Sequence, residues 1–277
     1  MSTTSVTGGP VIGDGPRGHS VRPVAWAMAP LSLASLLGLT SLALWTARGQ
    51  RFDHWAMSTV VAGRDTHLAV LSVLGYLSIG ALAVVAAGSV GLALLRGNIR
   101  LAVAAATIIT GANVTTQVLK RVVLERSELV DGIFAHNSLP SGHTTVVASI
   151  LGALCLASPA WLRPFFITVG AFAVALTGAS TVVAGWHRPS DVLAAVLVCL
   201  FWTALVAIGV GGRRSPSPGC LVFALIGAGA AIVFLIVIGV RPSAGWNSFV
   251  IAWAVLGSIA LATALSATLM DRMSPAA

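Results

Sequence analysis

Three short stretches hold most of the side chains that could do chemistry. Residues 120–126 read KRVVLER, residues 137–145 read NSLPSGHTT, and residues 180–191 read STVVAGWHRPSD. The middle stretch reads as the opening of a helix. Ser141 is a capping residue type, Gly142 lets an anion approach the backbone closely, and the free N–H groups of a first helical turn attract negative charge. Lys120 and Arg126 add fixed positive charge, and the forked Arg guanidinium suits phosphate oxygens. In the third stretch His187 and Asp191 are four residues apart, with Pro189 where a helix would start. Asp191 can accept a hydrogen bond from one imidazole nitrogen of His187 and leave the other free as a nucleophile. His143 supplies a second, acid–base histidine. Such a set suits phosphoryl transfer without a metal. Each stretch alone has a plainer reading: a turn and cap, a local hydrogen bond, or a pair of interface cations. Their joint occurrence on one side of the molecule is what favours chemistry.

The elements that must position these residues are membrane helices. Of 277 residues, 57% are hydrophobic and 9% charged, with a mean hydropathy of +0.94. An ordinary soluble domain has about 25% charged residues. This composition excludes a water-soluble enzyme, a disordered chain and a disulfide scaffold. A Gly-, Ser-, Thr- and Pro-rich tail over 1–23 reads as flexible and cytoplasmic. Apolar runs then fall near 24–47, 67–95, 101–119, 142–162, 164–185, 190–211, 219–240 and 247–269. At roughly 20 residues per crossing, these predict eight transmembrane helices in an all-α, polytopic membrane helix bundle. Trp26 and Trp45 lie near the two ends of the first run, as interface aromatics do. Cys155, Cys199 and Cys220 sit in or beside apolar runs without metal-ligand spacing, and read as small buried hydrophobes.

Topology gathers the three stretches. The first two share a loop, and the 44 residues from His143 to His187 allow one crossing out and one back. The formal charge is +8, but the basic residues are scattered singly and form no patch of the kind nucleic acid needs. With the N-terminus inside, eight Lys or Arg fall on each side. Leaving out Lys120, Arg121, Arg126 and Arg188 as site residues makes it eight inside against four outside, the sense of the positive-inside rule. Asp53, Asp65, Glu125, Glu128, Asp131 and Asp191 all fall on the outer side, with His54, His136, His143 and His187. Ionisable groups gathered in this way mark function in a membrane protein. His54 and His67 have no partner at useful spacing and read as interface residues, while His136 stands between bystander and site lining. Fifteen of the sixteen basic residues are Arg, which with the Ala, Gly and Val richness points to a GC-rich bacterial genome.

Taken in order, the three stretches resemble the signature of the phosphatidic acid phosphatase type 2 superfamily of membrane lipid phosphatases. That signature is a Lys-to-Arg-Pro segment, then PSGH, then Ser-Arg-x5-His-x3-Asp, and the resemblance spans roughly 115–195. It implies a six-helix phosphatase core over 24–211, with two additional transmembrane helices and a short tail over 212–277. It implies that His187 is the nucleophile that becomes phosphohistidine, Asp191 its orienting carboxylate and His143 the general acid. Lys120, Arg126, Ser141 and Gly142 are the implied phosphate ligands. The resemblance further implies no metal and no cofactor, a lipid phosphate or polyprenyl pyrophosphate as substrate, and membrane lipids as surroundings. It implies a site on the extracytoplasmic side of a bacterial plasma membrane, and says nothing of oligomeric state.

The chain departs from that pattern twice. Arg126 follows Lys120 by six residues where the pattern has seven, with Ser127 in place of the following Pro. Thr181 stands where an Arg is expected. Losing one charge-stabilising donor to a transferring phosphoryl group costs about 10²–10³ in rate. Arg188, Arg121 and Thr181 itself are the auxiliary candidates for that place. The alternative reading is therefore a catalytically impaired relative that binds a lipid phosphate or serves as a scaffold. A small-solute transporter is disfavoured, because transporters show internal repeats and broken helices at the midplane, whereas this polar cluster lies at helix ends.

Overall fold

The computed structural model describes residues 20–76, 79–130, 137–213 and 217–275. Most of the expected tail (1–19) and His136 lie outside the described residues. Ten α-helices form among the described residues: α1 (Arg22–Trp45), α2 (Ala47–Ser58), α3 (Arg64–Tyr76), α4 (Ile79–Leu95), α5 (Ile99–Val118), α6 (Gly142–Ala157), α7 (Arg163–Val183), α8 (Pro189–Val210), α9 (Cys220–Val237) and α10 (Trp246–Arg272). Six helices are long and apolar enough to cross a membrane: α1, α7, α8, α9, α10, and α5 with its continuation to Val123. The molecule is a polytopic helical bundle that fits an integral membrane protein.

Two of the eight expected spans differ from expectation. The run 67–95 is two helices, α3 and α4, with residues 77 and 78 outside the described set. The run 142–162 is helical only to Ala157, because Pro159 keeps the residue before it out of the helical region. The 16 residues of α6 make it about 24 Å long, shorter than a hydrocarbon layer of roughly 30 Å. The irregular stretch before it is covered by protein, with Leu139 and Ser141 fully buried. Such burial is what lets non-helical backbone persist at membrane depth.

Two elements were not foreseen. Helix α2 follows α1 after one residue, Thr46, whose side chain caps it by accepting from the Gly49 N–H at 3.0 Å. Two short strands, β1 (Val60–Ala62) and β2 (Val240–Pro242), pair antiparallel with Val61 opposite Arg241. They clip the α2–α3 connection to the α9–α10 connection at the end of the bundle where α6 and α8 begin.

Lipid tails are as apolar as leucine, so membrane helices associate through close fit rather than through escape from water. Small residues supply that fit here. A Cβ on Gly178 of α7 would lie 2.6 Å from Val192 of α8, and one on Gly227 of α9 would lie 2.1 Å from the Thr168 carbonyl oxygen of α7. Helices α9 and α10 thereby join the others in one bundle, α9 against α7 and α10 against α7, α8 and α9. At the end opposite α6's start, fully buried Asp271 accepts from the Ser217 N–H at 2.9 Å and the Ser217 hydroxyl at 3.0 Å. Buried Arg163 stands 3.9 Å from the same carboxylate and donates to the Ser158 and Pro275 carbonyls. Cys155, Cys199 and Cys220 are all buried and unpaired. Gly227→Val drives a side chain into the Thr168 backbone, and overpacking of this kind costs about 1–3 kcal/mol. A lower Tm in detergent is expected, and an unchanged Tm would show that α9 is not seated on α7.

Candidate active site

The three stretches meet where α5 ends and where α6 and α8 begin. Helix α5 runs into a π-helical turn, Leu119–Val123, that carries Lys120 and Arg121. Single wide turns of this kind recur at functional sites. Asn137 ties the turn to the next stretch. Its Nδ2 lies 3.3, 3.0 and 3.1 Å from the carbonyl oxygens of Lys120, Leu124 and Leu139, and its Oδ1 accepts from the Leu139 N–H at 3.0 Å. After α7, Gly185 takes a φ of +72° that suits glycine. The Thr181 carbonyl then accepts from the N–H groups of Trp186 and His187 at 3.0 and 3.2 Å.

Asp191 is the centre of the arrangement. Its Oδ2 accepts from Ser138 Oγ at 2.6 Å, from the Arg188 N–H at 3.0 Å and from His187 Nδ1 at 3.1 Å. A carboxylate oxygen that accepts from Ser138 and Arg188 calls for a proton on the imidazole nitrogen beside it, so the tautomer that fits has Nδ1 as donor and Nε2 as the outward nitrogen. The main-chain oxygen of Asp191 accepts from the Ser141 N–H at 2.9 Å, which joins the start of α6 to the start of α8. His143 is half-buried, its ring 5.7 Å from that of Trp186. It lies close enough to His187 and Lys120 for their charges to act on it.

Cations surround this pair. Lys120 is half-buried and acts on Asp191 through space. Arg126 is 9% exposed, and its Nη2 is buried without a hydrogen-bond partner among the described residues. Burial first, then the charge of Arg188, pulls the Arg126 pKa below its usual value, while Asp53 and Asp191 act the other way. A buried guanidinium nitrogen without a partner is costly, and an anion would satisfy it. Arg188 is buried, with Nη1 donating to Ser138 Oγ at 3.2 Å.

The other expected residues are placed as follows. Gly142 and His143 occupy the first turn of α6, where N–H groups have no intrahelical carbonyl to bond. Among the described residues, a Cβ on Gly142 would meet nothing nearer than Gln117 Nε2 at 3.7 Å, an ordinary contact, so a methyl group fits there. Ser141 is fully buried and caps α6, its Oγ 3.1 Å from Thr144 Oγ1. Thr181 is buried with its hydroxyl donating to the Gly178 carbonyl at 2.8 Å within its own helix. Arg121 is exposed on the π-helical turn.

Three residues near the site were not anticipated. Ser138 bridges Asp191 and Arg188, and no spacing distinguishes it from any other loop serine. Asp53 and His54 arrive on α2. Asp53 accepts from the Ser190 N–H at 3.1 Å and from the Ser190 hydroxyl. Burial first, then the charges of Arg188 and Arg126, holds the His54 pKa below its usual value. No sequence signal set them apart: the buried residues of α2, Gln50, Asp53 and Ala56, are three apart, a pattern that appears only once their burial is known. Gln50 donates from Nε2 to the Leu44 and Ser127 carbonyls at 2.7 and 2.6 Å, holding α2 against the loop that carries Arg126.

Burial raises the Asp53 pKa from 3.8 to about 6, and the Asp191 charge adds to this, while the Ser190 hydrogen bonds and Arg188 oppose it. The folded pKa lies above the unfolded one. The stability tied to this group is therefore full below pH 3.8 and lost as pH rises through about 6. Asp53→Asn stays neutral, accepts from the Ser190 N–H and can donate to the Ser190 hydroxyl. Its stability relative to the native chain should be near zero at low pH and gain about 3 kcal/mol by neutral pH. Thermal unfolding across this range measures it, and a pH-independent difference would refute the buried, titrating carboxyl.

Residues 81–215 match the family model of the PAP2 superfamily. No curated protein and no solved structure gives a significant match. The matched segment contains Lys120, Arg126, Ser141, Gly142, His143, His187, Arg188 and Asp191; α1, α2, α3, α9 and α10 lie outside it. The segment that builds the site belongs to the PAP2 superfamily.

Proposed function

We propose that the protein is an integral-membrane phosphatase that hydrolyses a lipid phosphate or lipid pyrophosphate through a phosphohistidine on His187. Membership of the superfamily supports a phosphatase role in general. The observation that carries the finer reading is the His187–Asp191 pair, with Nδ1 held at 3.1 Å, set among Lys120, Arg126 and Arg188. Three cations face two carboxylates there, Asp191 and Asp53, so the site has positive charge in excess. In this reading the residues 24–211 form the catalytic core, and the site faces the extracytoplasmic side of a bacterial plasma membrane.

The chemistry runs in two displacements. His187 Nε2 attacks phosphorus in line, the P–O bond to the lipid alcohol or lipid phosphate breaks, and protonated His143 gives its proton to the leaving oxygen. The growing positive charge on the His187 ring is stabilised by Asp191 at Nδ1. Water then attacks the phosphohistidine, giving a proton to His143, and the P–N bond breaks to release phosphate and restore His187. The fixed cations and the Gly142 and His143 amides stabilise the charge on the transferring group, which is the main task in phosphoryl transfer. No step in this sequence calls on a metal, and phosphate release is expected to continue in EDTA.

A second reading has one observation behind it. Thr181 stands where the family pattern has Arg and turns its hydroxyl into its own helix, which favours a relative that binds lipid phosphate without turning it over. Arg188, buried beside Asp191, is the cation placed to compensate. The two readings part on turnover by purified protein in detergent against lipid phosphates and pyrophosphates. His187→Ala should lower phosphate release by about 10⁴-fold or more with an unchanged Tm. Release that persists in the variant, or is missing from the native chain, would overturn the phosphatase reading.

Gly142 provides an independent test. Among the described residues its Cβ would make only an ordinary contact with Gln117, at 3.7 Å, so Gly142→Ala should fold with unchanged or slightly higher stability. The same methyl group would stand in the phosphate's place, and kcat/KM should fall by about 10²-fold. Full activity in this variant would remove the first turn of α6 from the phosphate site.

A further inference from the structure

Beside the candidate active site lies a cavity of about 910 Å³ between α1, α2, α8 and α10. That is within the range of roughly 300–1,000 Å³ usual for ligand pockets. Its walls are apolar, with Leu42 from α1, Leu193 from α8, and Ile251 and Val255 from α10. Its polar lining gathers at the α2 end, where Arg48 and Arg51 are both exposed. Asp53 and Ser190 form the rim nearest the chemistry, and Ser190 adjoins Asp191. The cavity therefore opens next to the His187 cluster without containing it. Along α10 it extends from Ile251 to Ser258, about 10 Å at the helical rise. Leu42 is 62% exposed, so this wall is open to the surrounding bilayer.

We propose that this groove holds the hydrocarbon chain of the substrate lipid, and that α10, which lies outside the family-matched segment, sets which chains are accepted. The proposal rests on the lipid-phosphate reading of the site. Two features single out this occupant. The groove is apolar along its length and cationic at the end beside the active site, matching a lipid whose anionic head lies at that end. It is also built by helices at membrane depth and open sideways, so a chain enters from the bilayer without crossing water. A hydrocarbon chain gains little by leaving lipid for an apolar groove. The groove therefore acts through shape, by orienting the lipid so that its phosphate stands over His187, and selectivity is its expected signature.

The test fills the groove and varies the chain. Ala254 and Ser258 line it from exposed positions on α10, so Ala254→Trp and Ser258→Trp occupy it without opening the core. Leu265→Trp, at a 46% exposed position of α10 away from the groove, is the control. With dipalmitoyl and dioctanoyl phosphatidic acid as substrates, both groove variants should lose about tenfold in kcat/KM for the long chain and keep their activity on the short one. Equal losses on both substrates, or no loss on either, would overturn the proposal. A phosphatidic acid carrying a mid-chain diazirine gives a readout that needs no turnover. Labelling should fall on the α1 and α10 segments around Leu42 and Ile251, be displaced by unlabelled phosphatidic acid but not by phosphatidylcholine, and be lost in Ala254→Trp. Labelling elsewhere would refute the groove. Labelling there without phosphate release in the native chain would refute the phosphatase and keep the groove as a lipid-phosphate site.

Discussion

Asp191 receives Ser138, Arg188 and His187 on a single carboxylate oxygen while only 1% exposed, and its main chain takes the Ser141 amide as well. A buried carboxylate is costly unless its lone pairs are met. Meeting them here requires residues from the loop before α6 and from the turn before α8 to arrive together. The same requirement sets the imidazole of His187: its proton must face Asp191, so its free nitrogen faces away. Orientation of the His187 ring, closure of the loop around Pro140 and the start of α8 are consequences of one solvation demand.

A second carboxylate enforces the position of this one. Asp53 holds Ser190 by both its amide and its hydroxyl, and Ser190 lies next to Asp191 in the first turn of α8. Acidic groups near a helix N-terminus are favoured by the exposed amides there, but two of them repel. Burial raises the Asp53 pKa to about 6, and the Arg188 charge opposes that rise, while Arg126 is close enough to both carboxylates to feel their charges. The interfacial helix α2 thus becomes a support for the site, although it lies outside the family-matched segment.

The two ends of the bundle differ in kind. At the candidate-site end, Lys120, Arg126 and Arg188 stand beside Asp191 and Asp53, and one buried Arg126 nitrogen has no hydrogen-bond partner among the described residues. At the other end, Asp271 is matched by Ser217 and faces Arg163, and these groups fasten the last helices to the loop between α6 and α7. Between the ends, helices meet through glycines at Gly178 and Gly227. Helix α10 is held by this fastening while its other end borders the groove beside Asp53.

Composition and local spacing were enough to read the helical membrane-bundle class and to single out the candidate site residues. Apolar runs of sufficient length can satisfy their backbone in lipid only as helices, and His187, Asp191, His143 and Lys120 are legible because local spacing and loop topology confine them to one side. What depended on tertiary structure was anything set by approach between distant segments. The polar helix α2 has no apolar stripe to announce it, and Asp53 becomes meaningful only where it reaches Ser190, 137 residues away. Ser138 is an ordinary loop serine until Asp191 needs a donor. Thr181 reads as a missing cation until its hydroxyl is seen bonded within α7 and Arg188 is seen buried beside the carboxylate. Local periodicity and spacing report the interactions a residue makes with its own element. Desolvation, charge balance and cavity shape are properties of several elements at once, and only their assembly decides them.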